Sequence, residues 1–362
     1  MSFINNWLRS DIKAINAYHV PPANNMIKLD AMESPFALPD ELVGQYLAYL
    51  ADSELNRYPS PGADDLNQTL RGLMDIPEEF GVLLGNGSDE LIQLLALACE
   101  TNDTILSVEP SFVMYDMIAK FTRLNYKGVA LTQDYQLDLA LMLKEVQTHN
   151  PKLIFIAYPN NPTGNTFDRK SIEEIISSTD AMVVLDEAYY AYAGDSFLMD
   201  IAKYPNLVVL RTVSKIGFAG LRLGLLIGSK QTVAELDKLR LPYNINTLTQ
   251  VSANFLLKEK SEIEKNAEII IEQRQVLLDE LNSVSGLIVY PSQANFILLK
   301  APKAQALFDY LKDNGVLIKN LSSAPKLTDC LRVTVGDDFQ NQQFIRIVKK
   351  FYALDSQGDA ND

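Results

Sequence analysis

Apolar residues along the chain fall into two alternating rhythms. Short unbroken runs at 153–157 (LIFIA), 182–185 (MVVL) and 207–210 (LVVL) read as strands buried on both faces. Between such runs, apolar positions recur every three or four residues, as at Leu66, Leu70 and Leu73, at Leu139, Met142, Leu143 and Val146, and at Ile172, Ile175 and Ile176. That spacing predicts helices. Strands separated by helices require crossover connections, so the fold class is α/β, with a large domain whose mostly parallel central sheet is flanked by helices. Side chains that follow the strands then collect at one edge of the sheet.

The C-terminal third changes pattern. One long amphipathic helix is predicted from about Thr249 through Ile263, Ile270 and Leu277 to Leu281, followed by strands at 287–290, 294–299, 315–319 and 330–335. A helix at 303–313 and a last helix ending near Leu354 complete a smaller α/β domain built from the N- and C-terminal parts. The expected divisions are 1–55 for the N-terminal arm and part of the small domain, 56–250 for the large domain, 251–354 for the linking helix and small domain, and 355–362 for a disordered tail.

Composition narrows the function. With 362 residues, 47% of them apolar, the chain can bury a large core, and a formal charge of -14 disfavours nucleic acid or an anionic membrane as partner. No stretch reaches transmembrane length and the first residues lack signal-peptide character, so a cytoplasmic location is expected. Two cysteines, Cys99 and Cys330, and two histidines, His19 and His149, support neither a disulfide framework nor a metal cluster, and a cofactor has to carry difficult chemistry.

Candidate chemistry follows the strands. Lys215 lies after the run at 207–210, beside Ser214 and ahead of Gly217, Gly220 and Arg222, an arrangement that suggests an amine close to a bound phosphate and able to form a Schiff base. A serine-lysine pair alone is ordinarily a solvated strand end. The 85–89 turn, GNGSD, has glycines that let backbone amides approach an anion, with Ser88 a plausible helix cap. Asp186 ends an apolar strand, where a carboxylate is costly to bury unless paired, and a protonated pyridine nitrogen is one such partner. Asn161 reads as a turn residue unless it meets a partner such as a ring oxygen, and Phe112 can cover an aromatic ring, although a strand-end phenylalanine is more often core.

Four separated motifs, NPTG at 161–164, DEAY at 186–189, Ser214-Lys215 and GLRLG at 220–224, resemble in order and spacing the fold type I pyridoxal-phosphate aminotransferases, whose fold is aspartate aminotransferase-like. Within them the chain resembles the histidinol-phosphate aminotransferases, through Tyr18, NRYPSPGADDL, GNGSDEL, YPNNPTG, PYNIN, ANFIL and DCLRVTVG. The likeness spans about residues 10 to 350.

This resemblance implies pyridoxal 5'-phosphate as cofactor and transamination between L-histidinol phosphate and 2-oxoglutarate, which yields glutamate. Related aromatic aminotransferases, amino-acid-phosphate decarboxylases and a non-catalytic regulator are the alternatives, and the last has no need of Lys215. By resemblance, Lys215 holds the cofactor, Asp186 pairs with the pyridine nitrogen, and Tyr189 and Asn161 bond the ring oxygen. Ser88, Asp89, Ser214 and Arg222 surround the phosphate, and Phe112 covers the ring where a tyrosine is often found. Tyr58 reaches the other subunit's phosphate, which implies a homodimer. Arg332 holds the substrate's acidic group with Asn161 also at the substrate, Lys319 stands where an arginine is often found and is expected to help hold the substrate's phosphate, and Tyr18 closes over the substrate. Met32 replaces a frequent asparagine near the substrate.

Overall fold

The computed structural model describes residues 3–17, 22, 23 and 25–358. Its largest sheet has seven strands in the order Phe80–Gly85, Gly224–Ser229, Leu207–Thr212, Met182–Asp186, Leu153–Ala157, Thr104–Glu109 and Asn125–Ala130. All run parallel except Gly224–Ser229, which is antiparallel to both neighbours. The pleat sends adjacent residues of these apolar runs to opposite faces. Ile154, Val183, Leu185 and Val209 enter one core, while Phe155, Val184, Val208 and Leu210 enter another. Both faces are therefore covered, as unbroken apolar strands demand.

A second sheet of four strands is antiparallel throughout, in the order Lys319–Asn320, Cys330–Thr334, Phe296–Lys300 and Ile288–Val289. Its core includes Phe296, Leu307, Leu331 and Phe344, and also Leu29 and Met32 from the N-terminal part. The strand Ile27–Lys28 pairs in parallel with Val316–Leu317.

Three expectations change. The segment predicted as one strand at 315–319 is two: Val316–Leu317 pairs with Ile27–Lys28, and Lys319–Asn320 joins the four-stranded sheet. The linking helix is also two, Thr247–Leu256 and Lys260–Asn282. Helix Asp40–Ala51 lies against Thr247–Leu256, where Tyr46 and Tyr49 pack on Phe255 and the Tyr46 hydroxyl is 2.7 Å from Ser252 Oγ. The last helix, Asp338–Gly358, extends past Leu354 into the segment expected to be a disordered tail. Among the described residues, no helix is long and apolar enough to cross a membrane.

Candidate active site

The strand order places Asp186, Asn161 and Lys215 at the carboxyl edge of the large sheet, around a cavity of about 100 Å³. Ser88, Asp89, Phe112, Asn161, Asp186, Tyr189, Ser214, Lys215 and Arg222 all line it. Four further residues, Met32, Ala157, Ala188 and Thr212, also line it, and of these Ala157 carries no signal in the sequence. Met32 is the one that the resemblance places near the substrate. It adopts a left-handed φ of 54°, held by its N–H donating to Thr334 Oγ1 at 2.9 Å and its carbonyl accepting from Asn295 Nδ2 at 3.1 Å. Asparagine tolerates that conformation better than methionine does.

One end of the cavity is built for an anion. Helix Ser88–Leu97 points its N-terminus there, with Gly87 as the cap residue at φ 84°. Ser88 is thus the first helical residue rather than the cap. A Cβ at Gly87 would lie 2.6 Å from Arg222 Nη2, and one at Gly224 would lie 2.5 Å from the Ser88 amide nitrogen. Only glycine leaves this cradle open. Arg222 Nη1 donates to Ser214 Oγ at 3.4 Å, and Ser214 Oγ accepts from Thr212 Oγ1 at 2.9 Å. Burial raises the Asp89 carboxyl, with Arg222 and Lys215 opposing the rise.

Asp186 is buried, and burial pushes it up to about 6. Two donors work against that rise: the Tyr115 hydroxyl at 2.7 Å from Oδ2, and the Ala188 amide at 3.1 Å from Oδ1. Lys215 is half-buried, with Nζ donating to the Ala31 carbonyl at 3.1 Å. Desolvation first, and then the positive charge of Arg332, draw the amine down to about 8. Burial is the larger of the two causes. A near-neutral amine is the nucleophilic form.

At the other end, Arg332 is buried and donates from Nη1 to Asn161 Oδ1 at 2.5 Å and from Nη2 to the Asp30 carbonyl at 3.0 Å. Asn161 Nδ2 in turn donates to the Tyr189 hydroxyl at 3.3 Å. Arg332 reaches the cavity wall only through Asn161, and neither it nor Lys319, which sits directly opposite it in the antiparallel register, lines the cavity itself. Tyr58 is 79% exposed, stacked on Tyr243 with ring centroids 4.5 Å apart, and away from its own chain's cavity. Tyr18 lies outside the described residues.

These residues fit pyridoxal 5'-phosphate: an open glycine cradle with Arg222 for the phosphate, a buried carboxylate for the ring nitrogen, and an amine of lowered proton affinity. Fold and site together define a pyridoxal-phosphate-dependent transferase of the aminotransferase class I and II family, whose model matches residues 24–348. The chain belongs, within it, to the histidinol-phosphate aminotransferases. It is 72% identical to the histidinol-phosphate aminotransferase of Vesicomyosocius okutanii over 98% of this chain and 100% of that one. It is 46% identical to histidinol-phosphate aminotransferase 2 of Nitrosococcus oceani, covering 95% and 96%. Among solved structures, the histidinol-phosphate aminotransferase of Sinorhizobium meliloti in complex with pyridoxal-5'-phosphate shares the fold at a TM-score of 0.84 and 23% identity, covering 95% of this chain and 97% of that one.

Proposed function

We propose that the chain exchanges an amino group between L-histidinol phosphate and 2-oxoglutarate, forming imidazole acetol phosphate and L-glutamate in L-histidine biosynthesis. The observation that carries this reading is one cavity shared by the Lys215 amine and the Asp186 carboxylate, open at one end to Arg222 and joined at the other to Arg332 through Asn161. When bound, pyridoxal phosphate supplies an electrophilic carbon for the amine and a ring that accepts the electron pair left when Cα loses its proton.

The chain's own residues do the rest. Ser214, Arg222 and the first amides of helix Ser88–Leu97, those of Ser88 and Asp89 among them, take the cofactor phosphate. Asp186 keeps the ring nitrogen protonated, Tyr189 and Asn161 hold the ring oxygen, and Phe112 covers a ring face. Lys215 Nζ holds the cofactor and then carries the proton to and from Cα. Arg332 anchors the substrate's acidic group, and Tyr18 closes over it. Tyr58, exposed on its own chain, reaches the phosphate site of a second copy in a homodimer. Such an enzyme works in the cytoplasm on small molecules.

The lowered proton affinity of Lys215 has a kinetic consequence. Below pH 8 the neutral fraction of an amine titrating at about 8 grows about tenfold per pH unit, and above that it saturates. Covalent uptake of pyridoxal phosphate by the apo-protein, followed by absorbance, should therefore rise with pH and level off near 8. A rate still climbing steeply to pH 10 would mean an ordinary solvated lysine.

An amino-donor panel with 2-oxoglutarate as acceptor tests the substrate. Histidinol phosphate carries a dianion where glutamate carries a carboxylate, and both use Arg332, while Lys319 across the register adds charge that the dianion uses more. One charge-assisted bond is worth roughly 1.5–3 kcal/mol, or about tenfold to a hundredfold in affinity. Lys319→Ala should raise KM for histidinol phosphate by about that factor and spare glutamate, whereas Arg332→Ala should damage both. Unphosphorylated histidinol reacting as well as its phosphate ester would reject the assignment.

A further inference from the structure

We propose that Tyr115 is a positioning residue for Asp186: its hydroxyl holds one carboxylate oxygen, so that the acid stays ionised and fixed toward the cofactor ring. The inference rests on the reading of Asp186 as partner of the ring nitrogen, and adds a residue to which neither the motifs nor that reading gave a role.

The placement is unusual for a core tyrosine. Tyr115 is 0% exposed, in the first turn of helix Met114–Thr122, and a phenylalanine would fill the same apolar space without bringing a hydroxyl to be satisfied. Its ring is stacked on Phe155 of the sheet, with centroids 4.7 Å apart and planes 14° apart. Phe112, which lines the cavity, meets it edge-on at 5.5 Å and 88°. The ring is thus held on two sides, one layer behind the cavity wall, and its oxygen ends 2.7 Å from Asp186 Oδ2. With Oδ1 taken by the Ala188 amide, the carboxylate is anchored through both oxygens. A carboxylate held by two donors has one orientation to offer a ring.

The surrounding charges make that hydroxyl matter. Asp89 and Glu187 face Asp186 with the same sign and raise its proton affinity further, on top of burial. Lys215 and Arg222 share the cavity, and Tyr189 and Tyr126 are phenols that burial keeps neutral. Burial and the adjoining carboxylate likewise hold the Tyr115 phenol well above its ordinary value, so it donates at every working pH and does not itself titrate there. Among the described residues, Tyr115 and the Ala188 amide are the hydrogen-bond donors that oppose protonation of Asp186, and Tyr115 is the one that does so through a side chain.

The test uses Tyr115→Phe, which keeps the ring stack and removes the oxygen. Cofactor affinity of the apo-protein is measured from pH 5 to 9, alongside the pH profile of kcat/KM in the loaded enzyme. The acid midpoint of both should move up by on the order of one pH unit, about tenfold in proton affinity, with the alkaline limb unchanged. A 3-fluorotyrosine placed at 115 is a stronger donor of nearly the same shape and should move the midpoint down. It also carries the test should the phenylalanine variant not fold. Midpoints identical to wild type in the variants that fold, or a loss uniform across pH, would overturn the inference. Asp186→Asn separates the two readings: wild-type turnover there would remove the role of Asp186 itself, while impaired turnover beside unmoved Tyr115 midpoints would remove only that of Tyr115.

Discussion

Lys215→Ala is expected to abolish turnover, by a factor of at least about 10⁴, while leaving a folded protein that still binds pyridoxal phosphate reversibly. The phosphate cradle, Asp186 and the Tyr189–Asn161 pair do not depend on the lysine side chain, whose own hydrogen bond is to the Ala31 carbonyl. What is lost is the covalent hold on the cofactor and the base that moves the Cα proton. Removing a half-buried ammonium costs the fold little, because burial already disfavours its charge. Borohydride reduction of the wild-type protein, followed by peptide mapping, should place the reduced cofactor on Lys215. Attachment at any other lysine would withdraw the assignment, as would measurable steady-state transamination by the alanine variant.

Strand ends were legible because the chemistry follows unbroken apolar runs, and a parallel sheet gathers such ends at one edge. Asp186, Asn161, Ser214 and Lys215 were found on that ground, and the structure brings all four to one cavity. Tyr115 was not legible. In MYDMIAKF it stands three and four residues before Ile118 and Ala119, the spacing of a helix's buried face, and nothing local announces that its hydroxyl meets residue 186. Ala157 was hidden likewise, as an ordinary member of an apolar strand.

Two errors in the fold have the same tertiary origin. Leu256, Ile263, Ile270 and Leu277 follow one another at intervals of seven, so the apolar period runs unbroken across the end of Thr247–Leu256 and the start of Lys260–Asn282. Periodicity cannot reveal a break that preserves it. The strand at 315–319 divides because its two halves find different partners, one near the N-terminus and one in the C-terminal sheet, and pairing between distant segments leaves no mark in local pattern.

Asp186→Asn should keep the protein folded and the cofactor bound, yet lower kcat by on the order of 10²–10³-fold, the range seen when one preorganised electrostatic partner is removed. The carboxylate now accepts from the Tyr115 hydroxyl on Oδ2 and from the Ala188 amide on Oδ1. An amide has a single oxygen. The Ala188 N–H is fixed by the backbone and takes that oxygen, which turns the amide nitrogen toward Tyr115, whose hydroxyl rotates to accept. Both contacts survive in this exchange, so thermal stability changes little. The charge does not survive, and a neutral amide cannot keep the ring nitrogen protonated, so the electron pair left at Cα loses its acceptor. The deficit should appear in the half-reaction with either amino donor, measured by stopped-flow absorbance, because it arises in the cofactor's environment and not in the Arg332 pocket. A deficit confined to one donor, or none at all, would place the function of Asp186 elsewhere.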